Sequence, residues 1–143
     1  MYKIKFCFFS AIICFLTGCA IVRDMPRGLA GLSTRAVENA REDALASVFD
    51  YDYDTCYKKT VDILVQIQAY VYARPAKKDM LAIYVSSSDT TEVGIFFAKV
   101  GQNKTRVEIS SLSTPAKERL SKRIFAMLGG LPDPEKKTLE EVK

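Results

Sequence analysis

Hydrophobic positions along the middle of the chain change period several times, and each change marks an element. In FDYDYDTCYKK, residues 49–59, Phe49, Tyr51 and Tyr53 alternate with Asp50 and Asp52. That is the period-two signature of a half-buried strand, and it predicts a strand over about 46–53 with aromatics inward and carboxylates outward. Cys56, Thr60, Ile63, Leu64 and Ile67 then recur at spacings of three and four, an amphipathic helix over about 54–68 with Asp54 or Thr55 as its N-cap. Tyrosines and valines beyond Ala69 predict a strand over about 69–74, stopped by Pro75. Leu81, Ile83 and Val85 alternate over about 80–87, and Val93, Ile95 and Phe97 over about 92–100. After the turn Gly101-Gln102-Asn103-Lys104, Thr105, Val107 and Ile109 alternate over about 104–111, which closes an antiparallel hairpin. Thr114-Pro115 opens a last helix over about 115–128, with Ala116, Leu120, Ile124, Met127 and Leu128 on its apolar side and Gly129-Gly130 at its end.

A sheet with one apolar face must bury it, and the two amphipathic helices are the available cover. The order predicts an α+β fold: a two-layer sandwich whose antiparallel sheet of four to five strands carries both helices on one face. Residues 33–46, STRAVENAREDALA, are rich in helix formers with a thin apolar stripe, and predict an extra N-terminal helix. One domain is expected over 33–128. The proline-rich, charged residues 129–143 read as a disordered tail.

The first residues are of another kind. Lys3 and Lys5 precede an apolar run from Phe6 to Leu16, followed by Thr17-Gly18-Cys19. A basic flank, a short apolar stretch and small residues make a secretory signal over 1–18, and the run is shorter than the roughly 20 apolar residues of a membrane span. Leu16-Thr17-Gly18-Cys19 resembles the lipobox of bacterial lipoprotein precursors. That resemblance implies that Cys19 carries the lipid and becomes the N-terminus, with 19–32 as a tether. It also implies that Ala20, standing where Asp favours the inner membrane, directs the protein to the inner leaflet of the outer membrane, facing the periplasm. Acyl chains supply affinity for the membrane at about 0.8 kcal/mol per buried methylene, so no other membrane element is required.

Charge and chemistry narrow the function classes. Loss of Lys3 and Lys5 with the signal lowers the net charge from +4 to +2, too weak a balance to argue for nucleic acid. The chain has no histidine, which removes the usual general base and the commonest zinc ligand. Cys7 and Cys14 leave with the signal and Cys19 carries lipid, so Cys56 stands alone and is expected to be buried. Asp50, Asp52 and Asp54 have the spacing that opens a calcium loop. Counted from Asp50, however, Thr55 stands where glycine is needed and Val61 where the bidentate glutamate is needed, so no metal site and no cofactor is expected.

Two surfaces remain as candidates for contact. If Leu81, Ile83, Val93 and Ile95 face the helices, Tyr84 and Phe96 point the other way, with Tyr72 beside them. These three form the candidate interaction patch, unless they are cross-strand pairs or lie under the 33–46 helix. Lys117, Arg119, Lys122 and Arg123 give the last helix a basic side that reads as solvated.

YDYDTCYKKTVDIL, MLAIYVSSSDTTEVGIFF and TRVEISSLSTPAKERLSKRIFAML, in that order, resemble an uncharacterised family of small bacterial lipoproteins, in which a lipobox precedes one α+β domain. The resemblance implies fold and compartment and carries no catalytic residue across. The expectation is a membrane-anchored, non-enzymatic protein-interaction or structural module of the cell envelope. Its alternatives are a small-ligand-binding lipoprotein and, further off, an envelope enzyme using Asp50 and Asp52.

Overall fold

The computed structural model describes residues 34–75 and 79–136. The signal, Cys19 and the tether lie outside the described residues, as do 137–143. Five strands form one antiparallel sheet: β1 (Leu45–Phe49), β2 (Tyr70–Ala73), β3 (Met80–Tyr84), β4 (Glu92–Gly101) and β5 (Lys104–Ser110), in the spatial order β1-β5-β4-β3-β2. Helix α1 (Tyr53–Gln66) follows β1, and α2 (Thr114–Leu128) follows β5. Because β1 lies at one edge and β2 at the other, α1 must cross the whole sheet between them, and α2 fills the rest of the same face.

The core lies between the sheet and these helices. Leu81, Ile83, Val93, Ile95, Phe97, Val107 and Ile109 enter it from the strands, and Val85 from just past the end of β3, which stops at Tyr84 and not at 87. From the helices come Cys56, Ile63, Leu64, Leu120, Ile124 and Leu128. Alternation places every second strand residue on this side, so the period-two reading of β3, β4 and β5 and the helical stripes meet in one layer. The architecture is the α+β two-layer sandwich that the patterning predicts.

Several boundaries differ. The predicted 46–53 strand stops at Phe49, because Asp52, not Asp54 or Thr55, caps α1: its carboxylate accepts the Thr55 N–H at 3.0 Å. Tyr53 is therefore the first helical residue. Tyr51 and Tyr53 still pack on the core edge, but from the turn and the helix. The last helix is capped by Ser113, whose hydroxyl accepts the Ala116 N–H, one residue before the expected Thr114. The N-terminal helix ends before residue 46: residues 34–39 are helical, Ala40–Asp43 tighten into a 3-10 turn, and β1 begins at Leu45.

This N-terminal segment lies on the sheet face opposite α1 and α2. Val37 is buried with Met80, Ala82 and Phe96 in a second, smaller apolar cluster, a burial worth about 2 kcal/mol for one valine. The Ser110 hydroxyl donates to the Val37 carbonyl at 2.6 Å. Close approach is possible because Gly94 lies beneath it: a Cβ there would stand 3.1 Å from Val37 Cβ and 2.9 Å from the Phe96 ring. Further along, Glu108 on β5 is paired with Arg41 of the segment and with Arg106 of its own strand, while the Arg41 guanidinium sits 4.5 Å over the Phe96 ring.

The end of the chain is also held. Residues 129–136, expected within the disordered tail, pack back onto α2, and a new helical turn begins at 134. Three contacts correct the expectation. Arg123 binds the buried Asp133 carboxylate through two nitrogens and Glu135 through a third at 2.7 Å, and Asp133 in turn accepts the Glu135 N–H.

Candidate functional site

The three residues of the candidate patch do not share one environment. Phe96 is 2% exposed, shut between Val37 and Arg41, and is removed from the contact surface by the N-terminal segment. Tyr72 and Tyr84 do come together, with ring centroids 4.3 Å apart and planes 21° from parallel. Tyr70, which pairs with Tyr84 across β2 and β3, adds a third ring, 6.1 Å from that of Tyr84 and 8° from parallel. Tyr70 is 56% exposed. It is missing from the sequence-derived patch, although its spacing of two from Tyr72 put both rings on one face.

The geometry follows from edge position. Among the described residues strand β2 is the last in the sheet, with β3 on one side of it, so its outer-face rings lie at the sheet's edge. Tyr72 also packs on the cluster of Met80, Ala82 and Phe96. The stack thus runs from the covered part of this face out to the open edge, and ends in a ring that is more than half exposed. Rings of this kind combine a large apolar surface with a polar tip and little conformational freedom to lose.

On the helix side of the sheet, by the start of β3, Tyr53, Tyr57 and Phe97 form a second aromatic group, with centroids 5.2 to 6.4 Å apart. The Tyr53 hydroxyl donates to Asp79 at 2.9 Å. Burial first, and then the Asp79 carboxylate, push the Tyr53 hydroxyl up to about 12. It is therefore a proton donor at any physiological pH, and ties the start of α1 to the start of β3.

The carboxylates read as an alternative catalytic pair do not converge. The Asp50 side chain is 88% exposed, 3.7 Å from Lys104. Asp52 is occupied as a helix cap, and the Thr55 contacts hold its carboxyl below the usual carboxylate range. Among the described residues no three acidic or thiol side chains gather where a metal ion would sit. Cys56 is fully buried, and desolvation pushes its thiol up to about 11.

The basic side of α2 is largely taken up within the domain. Lys117 Nζ donates to the Asp43 carbonyl at 2.7 Å, Arg119 lies 3.8 Å from Asp89 and 3.9 Å from Glu135, and Arg123 is bound to Asp133. An open cleft of about 450 Å³ lies where α1 meets the segment after α2, lined by Lys59, Asp62, Ile63, Met127, Leu131 and Lys136 among others. Its charges are of both signs, and the buried one, Asp133, is already bound by Arg123. No helix among the described residues is long and apolar enough to cross a membrane.

The chain matches no protein-family model and no curated protein sequence.

Proposed function

We propose that this protein is a lipid-anchored module of the cell envelope that acts by contacting another protein through the edge-strand tyrosines. The observation that carries the contact is the stack of Tyr70, Tyr72 and Tyr84, which ends in a largely exposed ring at an open sheet edge. Exposed aromatics held rigid by stacking are the side chains most enriched among those that dominate protein interfaces. The anchor rests on Leu16-Thr17-Gly18-Cys19. An attachment at Cys19 supplies the membrane contact, and leaves the domain free to present its face to the periplasm.

A photo-crosslinking residue at position 70 tests the contact. It should yield a discrete adduct with an envelope protein in intact cells, and the same probe at exposed Glu118 on α2 should not. The adduct should also weaken in a Tyr84→Ala background, where the aromatic probe at position 70 loses its stacking partner. Equal, diffuse labelling from both positions would remove the reading.

A further inference from the structure

The two edges of the sheet are guarded differently. Strand β2 is short, breaks register between Val71 and Ala73, and runs into Arg74-Pro75; brevity, bulges and prolines are the usual means by which an edge avoids pairing. Strand β1 has none of them. Its sequence LASVF pairs with β5 in unbroken register from Leu45 to Phe49 and carries neither charge nor proline. Among the described residues no strand lies on its other side. Leu45 is 39% exposed on the helix side and Val48 53% exposed on the opposite face.

Which main-chain groups of β1 are unpaired follows from the turn between β4 and β5. Lys104 pairs with Gly101 across two turn residues, so β5 next directs its N–H and C=O groups at β1 from Thr105, Val107 and Ile109. Their partners are Phe49, Ser47 and Leu45. On β4, past the register shift between Lys99 and Gly101, Phe97 lies opposite Val107 and likewise turns its N–H away from this pair, toward β3, where it donates to the Asp79 carbonyl at 2.9 Å. Ala46 and Val48 are left with main-chain groups pointing out of the sheet.

We propose that β1 is a homodimer interface, in which the β1 strands of two copies pair antiparallel about a twofold axis at Ser47. In that register Ala46 of each copy meets Val48 of the other, and the two pairs exchange four main-chain hydrogen bonds. Leu45 falls opposite Phe49 of the second copy on the helix side, which covers its exposed face. The strand is therefore complementary to itself, apolar to apolar about a central serine, and no charge is buried. At either end Asp50 falls opposite Ala44 of the second copy, next to Asp43, where Lys117 Nζ is already seated on the Asp43 carbonyl. The cation offsets the meeting of those two acids. This interface lies at the opposite edge from the tyrosine stack, so both can be occupied together.

Ser47→Cys in the full chain, purified in mild detergent and gently oxidised, tests the register. Residues facing each other in such a pair without mutual hydrogen bonds have Cα atoms about 4.5 Å apart, within the roughly 4.4–6.8 Å that a disulfide spans. Ser47→Cys should give several-fold more linked dimer than the parent chain or than Ser87→Cys on an exposed turn. Light scattering on the parent chain should report twice the protein mass of one copy. Val48→Pro should return it to one copy with little change in melting temperature, since the N–H it removes has no partner within the subunit. Equal linking at 47 and 87, or a single-copy mass at high concentration, would overturn the proposal. So would protection of the Ala46 and Val48 amides from exchange without linking at 47, which would mean that some other strand occupies the edge.

Discussion

Arg123 grips Asp133 with two guanidinium nitrogens while both side chains are largely withdrawn from water. Through this contact the segment after α2 is bound to the helix it leaves. Arg123→Ala should cost about 3–5 kcal/mol, the range for a buried ion pair that loses one partner, and should open residues 129–136 to proteases. Arg123→Lys should rescue little, because an ammonium cannot make the forked contact. The Arg123 bond holds the Asp133 carboxyl below its usual range. This stabilisation is therefore complete above the unfolded-state value of about 3.9 and is lost as pH falls through the lower folded value. Acid unfolding followed by denaturant midpoint should show that loss, and Asp133→Asn should remove most of it.

The start of α1 gives a sharper comparison. Asp52→Ala removes the acceptor of the Thr55 N–H and should lower the melting temperature by a few degrees. Asp54→Ala, two residues on and inside the helix, should change it little. Calorimetry of the two variants separates the capping aspartate from its neighbours in the same acidic run.

That pair also shows what patterning can and cannot resolve. The alternation of Leu81, Ile83 and Val85, and the three-four spacing from Cys56 to Ile67, were legible because burial on one face imposes a period. The end of the first strand was not legible, since Asp52 and Asp54 are equally good caps and only the path of the chain toward the core decides between them. The fate of Phe96 turned on a segment far off in sequence, where Val37 finds the gap that Gly94 leaves. The order of Asp133 depended on a buried charge pair that composition conceals, because a proline-rich acidic stretch looks disordered until its arginine is placed. Tyr70 was readable from its spacing to Tyr72, but its exposure depended on which strand is the edge.

Gly94 carries the close contact of the N-terminal segment with the sheet. Gly94→Ala places a Cβ against the Phe96 ring and Val37, and should destabilise by about 1–3 kcal/mol, the usual cost of overpacking. Hydrogen exchange should locate the loss in residues 34–43 and in β4, with α1 and α2 little affected.

Cys56 should behave as an apolar core residue. Burial pushes its thiol up to about 11, above the usual thiol range. The stability tied to this shift is full below about pH 9 and is lost as pH rises through 11, because the thiolate forms more readily in the unfolded chain. At pH 8 a thiol reagent should leave Cys56 unmodified in the folded domain and modify it once denaturant is added.

The proposed envelope role depends on a lipid at Cys19, and metabolic labelling with a clickable fatty acid tests that attachment most directly. Cells producing the parent chain should show label on the protein and recover it with membranes. Cells producing Cys19→Ser should show neither. Label on Cys19→Ser equal to that on the parent, or an unlabelled parent chain in the membrane fraction, would contradict the account.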